Sequence, residues 1–215
     1  EEATQTTMLD VNGVKVALLS YAYGFNGIPY PNGETWRANL IDVGAITTAA
    51  ATARQRGAQV VILALHWGTE YQQTPDALQL EVAPQLAQDP NIDIVIGHHA
   101  HVVEPIEKIG RTWVVYGMGN LIAAQRRPAE PRSEGLLVRF GFTERPDGRF
   151  DVTTAEYLPL YDTDAHPIRV LDVPRSLATG DYGTTDRARL ELALSRTTSV
   201  VESRGGPVAG LVRIG

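Results

Sequence analysis

Four of the five histidines in this 215-residue chain follow two short apolar segments. His66 comes directly after residues 60–65 (VVILAL), and the other three come after residues 92–96 (IDIVI). These three are His98, His99 and His101. Neutral imidazole is a good ligand for zinc, manganese and iron, and it needs no thiolate partner. The clustering therefore favours a divalent-metal site over the alternative that each histidine caps backbone groups or titrates in solvent.

The two apolar segments predict strands that bring these histidines to one place. Both segments are rich in β-branched residues, and residues 75–88 between them carry apolar side chains at helical spacing. A strand–helix–strand crossover of this length joins parallel strands, and open α/β sheets bind ligands at the carboxyl edge. We therefore predict that the imidazoles of His66, His99 and His101 point into one cleft, the last two from the same side of an extended segment.

Other polar residues are candidates for supporting or structural roles. Glu70 is a candidate acid/base, a residue that orients a histidine, or a turn cap, and the last two roles are favoured over direct catalysis. Asn120 is equally suited to contacting an oxyanion and to fastening a tight turn. Glu104 and Glu107 are expected in solvent or beside basic residues, and His166 is expected at the surface.

The remaining pattern predicts a mixed α/β chain. The expected elements are a strand at 14–20, a helix at 42–56, extended segments at 102–109 and 112–116, strands at 136–142 and 150–160, and a helix at 184–204 followed by a tail. The aromatic loop at 21–40 is either a lid over the sheet edge or a wall of a substrate site. Residues 123–133, rich in arginine and proline, are expected to form a basic surface loop.

Composition narrows the range of functions. The net charge is −6 and no stretch is densely basic, which argues against nucleic-acid binding. The chain has no cysteine, so disulfides and thiolate metal sites are excluded. No apolar run reaches the length of a transmembrane helix. The chain begins at Glu1, and any signal peptide or anchor would lie upstream.

Several motifs in order carry a family resemblance. HWGTEY at 66–71, GHHAHV at 97–102, PIE at 105–107 and YGMGN at 116–120 together resemble the CapA-type family. That family is associated with poly-γ-glutamate capsule biosynthesis and belongs to the calcineurin-like metallophosphoesterase superfamily. The resemblance spans roughly residues 14–142. It implies a layered α/β/β/α metallophosphatase-like sandwich, with residues 1–175 as the C-terminal part of that domain and 176–215 as a C-terminal helix and tail.

The resemblance also implies a metal site at the sheet edge. His66 matches the family's lone histidine after a strand, His99 and His101 match its His-x-His pair, and His98 is an extra histidine. Glu70 and Asn120 would be the catalytic or supporting residues. The implied cofactor is a divalent metal (Mn, Zn or Fe), with two ions at full length.

The chain departs from the family pattern in two ways. Ala100, Gly117 and Leu121 replace the family's proline, serine and phenylalanine. The superfamily's aspartate and asparagine–histidine motifs are not in this chain. We therefore expect the C-terminal portion only, with upstream residues completing the sandwich. On that expectation the strand at 14–20 lies beside absent strands, leaving an apolar edge or face exposed.

The functional hypotheses follow from this resemblance. The first is a metal-dependent hydrolase or transferase-like protein of the bacterial cell envelope, outside the cytoplasm, acting on poly-γ-glutamate or a phosphoester. Its partners would be other capsule-synthesis membrane proteins. The second is a non-catalytic envelope assembly or polymer-binding component with a degenerate metal site. A weaker third hypothesis is a metal-free histidine–glutamate hydrolase. Metal content distinguishes the first from the others.

Overall fold

The computed structural model describes residues 6–123, 131–163 and 166–215, which form two β-sheets with helices on their outer faces. Most of the predicted basic loop at 123–133 lies outside these ranges. The layers run from two helices through a six-stranded sheet and a four-stranded sheet to two further helices. This arrangement confirms the predicted α/β/β/α layering.

The six-stranded sheet positions the histidines. Its strands are β1 Thr7–Val11, β2 Val14–Ala22, β3 Val60–Trp67, β4 Ile94–His99, β5 Ile106–Ile109 and β6 Thr112–Val115. Their order is β1-β2-β3-β4-β6-β5, with β2, β3, β4 and β6 parallel and the two outer strands antiparallel. Ala22, His66 and His98 are aligned in register across β2, β3 and β4. The parallel βαβ prediction is therefore confirmed.

Two helices cover one face of this sheet, as the helical spacing predicts. They are α1 Val43–Gln55 and α2 Ala77–Ala87. Asp42 caps α1 by accepting a hydrogen bond from the amide of Ala45, and Asp76 begins α2 in a capping box with Gln79. The apolar stripes of both helices pack on β2, β3, β4 and β6 to form the main core.

A buried ion pair joins the helix layer to the start of β4. The carboxylate of Asp93 is 1% exposed and accepts hydrogen bonds from the Arg54 and Arg111 guanidiniums and from the amide of Val61. Because Arg54 lies in the last turn of α1, these contacts hold the end of that helix against β3 and β4.

The second sheet contains residues from the end of the chain. Its strands are β7 Glu134–Glu144, β8 Phe150–Asp162, β9 Val170–Asp172 and β10 Leu211–Arg213, with the order β10-β8-β7 and β9 paired to β8. The helices α3 Val173–Thr179 and α4 Arg187–Val201 pack against it. Trp113 and Val115 of the first sheet share a core with Leu136 and Tyr157 of the second.

Several sequence expectations need correction. Residues 205–215 are not only a tail, because β10 pairs in parallel with β8. The segment 102–109 contains a strand only from Ile106 onward. The strand predicted at 14–20 has neighbours within this chain on both sides, β1 and β3, so absent strands cannot lie directly beside it. Apolar side chains are nevertheless exposed there, at Leu9, Val11 and Leu18.

Candidate functional site

The ends of β3 and β4 bring three imidazoles together, as predicted. The ring centroids of His66 and His99 are 4.5 Å apart, and those of His99 and His101 are 6.5 Å apart. His98 is exposed beside them, in register with His66. His166 is exposed, as expected.

The backbone that achieves this arrangement was not predicted. His99 is in register with the buried Trp67, so simple alternation would place His66 and His99 on opposite faces of the sheet. Instead His99 has φ of 101° and His101 has φ of 59°, both in the left-handed region. The expectation that 99–101 is extended is therefore wrong, and a turn rather than a strand period brings the rings together.

Asn120 fixes the orientation and the tautomer of His101. The Asn120 Nδ2 group donates to the carbonyls of His101, at 3.2 Å, and Arg132, at 2.7 Å. Its Oδ1 must then accept, so Nδ1–H of His101 donates to it at 2.9 Å. In the neutral ring the lone pair then lies on Nε2, ready to accept a proton or bind a metal. Of the two roles considered for Asn120, the hydrogen bonds observed are those of fastening a turn.

Aromatic residues line the histidine cluster. The Tyr23 ring lies 4.7 Å from the His99 ring and 6.1 Å from the His66 ring, centroid to centroid. Tyr71 stacks on His101 at 5.9 Å. Tyr23 belongs to the loop predicted as a lid or a substrate wall, and its position against two imidazoles favours a wall.

The local environment favours the neutral form of His66 and His99. Partial desolvation, reinforced by the neighbouring imidazoles, lowers the pKa of His66, and partial desolvation also lowers the pKa of His99. The charge of Glu70 opposes both shifts. Glu70 itself is exposed and influences the cluster electrostatically. The neutral form favoured in this way is the form that binds metals.

Sequence reasoning missed a buried polar network beneath the histidines. Glu104 is fully buried, contrary to the expectation that it is solvated or ion-paired. Its Oε2 accepts a hydrogen bond from Gln79 Nε2 at 2.9 Å, and Gln79 Nε2 also donates to the carbonyl of Tyr116 at 3.3 Å. Trp67 Nε1 donates to the same carbonyl at 2.9 Å. The sequence signal at this place is Gln79, three residues after the N-cap residue Asp76. This spacing indicates a capping box but does not reveal the contact with Glu104.

Glu107 forms an ion pair with an arginine, which is one of the two environments predicted for it. Its carboxylate accepts hydrogen bonds from Tyr116 Oη at 2.9 Å and from Arg204 Nε at 2.6 Å. The basic partner lies almost a hundred residues away in sequence, in the turn after α4.

The donor atoms of the cluster are of a type that binds divalent metals, but their arrangement does not form a complete metal site. Neutral imidazoles, one with its Nε2 oriented through Asn120, are the donors that zinc and manganese accept. Across residues 6–123, 131–163 and 166–215, however, no three histidine, cysteine, aspartate or glutamate side chains are arranged to hold one ion. The three predicted ligands meet at one edge without forming a closed site.

The layered fold and the histidine edge place the chain in a class of α/β sandwich proteins with a candidate site at the carboxyl ends of parallel strands. The chain belongs to the bacterial capsule synthesis protein PGA_cap family, whose profile matches residues 1–125. It is 30% identical over 149 residues to the PGA biosynthesis protein CapA of Bacillus subtilis (strain 168). The alignment covers 66% of this chain and 37% of that protein. It is 27% identical over 119 residues to the capsule biosynthesis protein CapA of Bacillus anthracis, covering 54% and 29%. The chain thus spans about a third of these relatives.

This chain is similar in fold to parts of two solved hydrolase structures. The superposition on the sulfate thiohydrolase SoxB of Thermus thermophilus has a TM-score of 0.46 at 18% sequence identity. It covers 90% of this chain and 28% of the SoxB chain. The calcineurin-like phosphoesterase YfkN of Bacillus subtilis has a TM-score of 0.41 at 16% identity, covering 90% and 56%.

Proposed function

We propose that this chain is part of a metal-dependent hydrolase of capsule biosynthesis, acting in the bacterial cell envelope on poly-γ-glutamate or a phosphoester. Family membership supports the capsule context. The observation that carries the chemistry is the convergence of His66, His99 and His101 at one sheet edge. No helix in the described part of the chain is long and apolar enough to cross a bilayer. Other capsule-synthesis membrane proteins are the partners that this context suggests.

In this proposal His66, His99 and His101 supply nitrogen ligands for a divalent metal (Mn, Zn or Fe), and the neighbouring His98 is a further candidate. A bound metal of this kind would lower the pKa of a water molecule and stabilise negative charge. Asn120 would hold His101 with Nε2 toward the metal. Glu70, exposed beside the cluster, would adjust the charge of the site or accept a proton.

A second candidate function is a non-catalytic assembly or polymer-binding component with a degenerate metal site. The specific observation in its favour is that no described group of three ligating side chains is arranged to hold an ion. Three imidazoles would hold at most one ion weakly, because a pair of metals needs carboxylates to offset its charge.

Calorimetric titration with zinc and manganese tests the first proposal. We expect at most one weak site in this chain and two sites, with phosphodiesterase activity, in a protein extended to the length of the CapA relatives. His101→Ala should abolish zinc binding, and His166→Ala, which alters an exposed histidine remote from the cluster in sequence, should not. Retention of binding in His101→Ala would refute the site. An inactive, metal-free extended protein would favour the second function.

A further inference from the structure

The three imidazoles of the site differ in what holds their rings. The ring of His101 is fixed by the hydrogen bond from its Nδ1–H to Asn120. Among the residues that the structure describes, no hydrogen bond reaches a ring nitrogen of His66 or His99. A histidine that binds a metal ordinarily has its other ring nitrogen held by an acceptor, which sets the orientation of the ring. The orientation of His66 and His99 therefore depends on packing.

The ring of Tyr23 supplies that packing. It is nearly parallel to the His66 ring, with an interplanar angle of 7° and a centroid separation of 6.1 Å. It lies closer to the His99 ring, at 4.7 Å and an angle of 36°. Both separations are within the range of favourable aromatic pairs. Since the rings of His66 and His99 are themselves only 4.5 Å apart, rotation of either imidazole would break its contact with Tyr23.

The Tyr23 ring is itself anchored at two points. The backbone amide of Tyr23, directly after β2, donates to the carbonyl of His66 at 2.8 Å. The hydroxyl donates to Oδ1 of Asn26 at 2.7 Å. Asn26 has φ of 51°, a left-handed conformation that asparagine tolerates, so the chain turns back to meet the hydroxyl. The residue is still 41% exposed, and burial alone does not account for its position.

Stacking orients an imidazole without using its ring nitrogens. The contact engages the face of the ring, whereas the lone pairs and N–H groups of the nitrogens lie in the ring plane. The nitrogens of His66 and His99 thus stay available to a ligand in the cleft. A hydrogen bond also fixes the tautomer, as Asn120 does for His101, but a stacked ring does not. The site therefore combines two ways of holding an imidazole.

We propose that Tyr23 is a positioning residue that orients the imidazoles of His66 and His99 for ligand binding, as Asn120 does for His101. The proposal rests on the proposed function, since it concerns the same candidate metal site. Tyr23 does not itself bind the ion, and it gives the aromatic loop after β2 a role in the site. Removal of its ring should release two of the three imidazoles and leave the third in place.

The side-chain order of the histidines in the zinc-free chain tests this. Labelled histidines are observed by nuclear magnetic resonance at pH 8 in the parent and in Tyr23→Leu, and three-bond couplings report the χ1 rotamers. We expect His66 and His99 to change from one rotamer to a mixture in Tyr23→Leu, while His101 keeps a single rotamer. Unchanged rotamers of His66 and His99 overturn the proposal. Release of all three histidines also overturns it, because Tyr23 would then only maintain the fold.

Further variants separate the ring from its anchor. Tyr23→Phe keeps the stacked ring and should retain the histidine rotamers of the parent. Asn26→Gly keeps the left-handed backbone but removes the acceptor, and it should behave like Tyr23→Phe. Trp36→Leu is the matched control, because it removes an exposed aromatic ring of the same loop that lies beside Arg37, and it should change nothing. If Tyr23→Phe releases the histidines as fully as Tyr23→Leu, the stacking assignment is wrong.

Zinc calorimetry on the same variants separates this inference from the proposed function. Where the parent binds zinc, Tyr23→Leu should weaken the affinity about tenfold, which is typical for loss of a group that orients a metal ligand, and Trp36→Leu should not. Released rotamers in a chain that never binds zinc would leave the role of Tyr23 standing and remove the metal function. Zinc binding with unaltered rotamers and affinity in Tyr23→Leu would do the reverse.

Discussion

The buried carboxyl of Glu104 gives the sharpest test of the site's physical description. Desolvation raises the pKa of Glu104 from 4.5 to about 7, against the opposing hydrogen bond from Gln79. Its Oε1 has no hydrogen-bond partner among the described residues. Glu104→Gln replaces this group with a neutral amide of nearly the same shape, which keeps an acceptor for Gln79 and removes the ionisation.

The direction of the pH effect follows from linkage. Below about pH 4.5 the Glu104 carboxyl is protonated in the folded and unfolded states alike, and its contribution to stability is fully present. As pH rises toward 7 the unfolded chain releases this proton before the folded protein does, so stability falls; above that range the loss is complete. At 1.36 kcal/mol per pKa unit, the loss between pH 5 and pH 8 is roughly 2.5 kcal/mol.

Urea unfolding at pH 5 and at pH 8 measures this change. Between pH 5 and pH 8 the unfolding free energy of the parent should fall by roughly 2.5 kcal/mol more than that of Glu104→Gln, because the other titrating groups are common to both proteins. Glu81→Gln, at an exposed position on α2, is the matched control and should leave the pH dependence close to that of the parent. If Glu104→Gln and the parent chain show parallel pH profiles, Glu104 is not a neutral acid in the folded protein.

Two further predictions concern stability. Gly97→Ala should prevent folding or cost several kcal/mol of stability. The added Cβ would lie 1.8 Å from the backbone carbonyl oxygen of Tyr116, and no rotamer change relieves that clash. Gly24→Ala, with open space around it, is the control and should unfold in urea like the parent. Asp93→Asn should cost about 3 kcal/mol in the same assay, because it removes the buried counter-charge that the guanidiniums of Arg54 and Arg111 share. Parent-like midpoints in either variant would contradict the packing described.

The sequence predicted the parallel half of the fold because the information there is local. Continuous apolar runs, helical spacing and capping residues each specify one element, and a βαβ crossover leaves little choice about how β3 and β4 pair. The same reasoning placed His66 and His101 at one edge. It missed β1 and β10, since a three- to five-residue strand acquires its identity only from the strand it pairs with.

Within the site, the failures of sequence reasoning have a common cause. Gln79, far from Glu104 in sequence, donates to its buried carboxyl group, and the carbonyls of His101 and Arg132 are brought together by one amide, that of Asn120. Such contacts have no sequence period and cannot be predicted from spacing.

The left-handed turn at His99 shows why the histidine cluster is more than a consequence of strand pairing. Regular extension of β4 would have sent the His99 ring to the face of Trp67, away from His66, and a lone imidazole there would need a partner in the core. The unfavourable backbone at His99 and His101 is instead held by tertiary contacts: the amide of Tyr71 on the Ala100 carbonyl and the side chain of Asn120 on the His101 carbonyl. Conformations of this kind cost of order 1–3 kcal/mol each. A fold that only needed to end a strand could use glycine here, so the presence of histidine in a strained turn favours a role for its ring nitrogens.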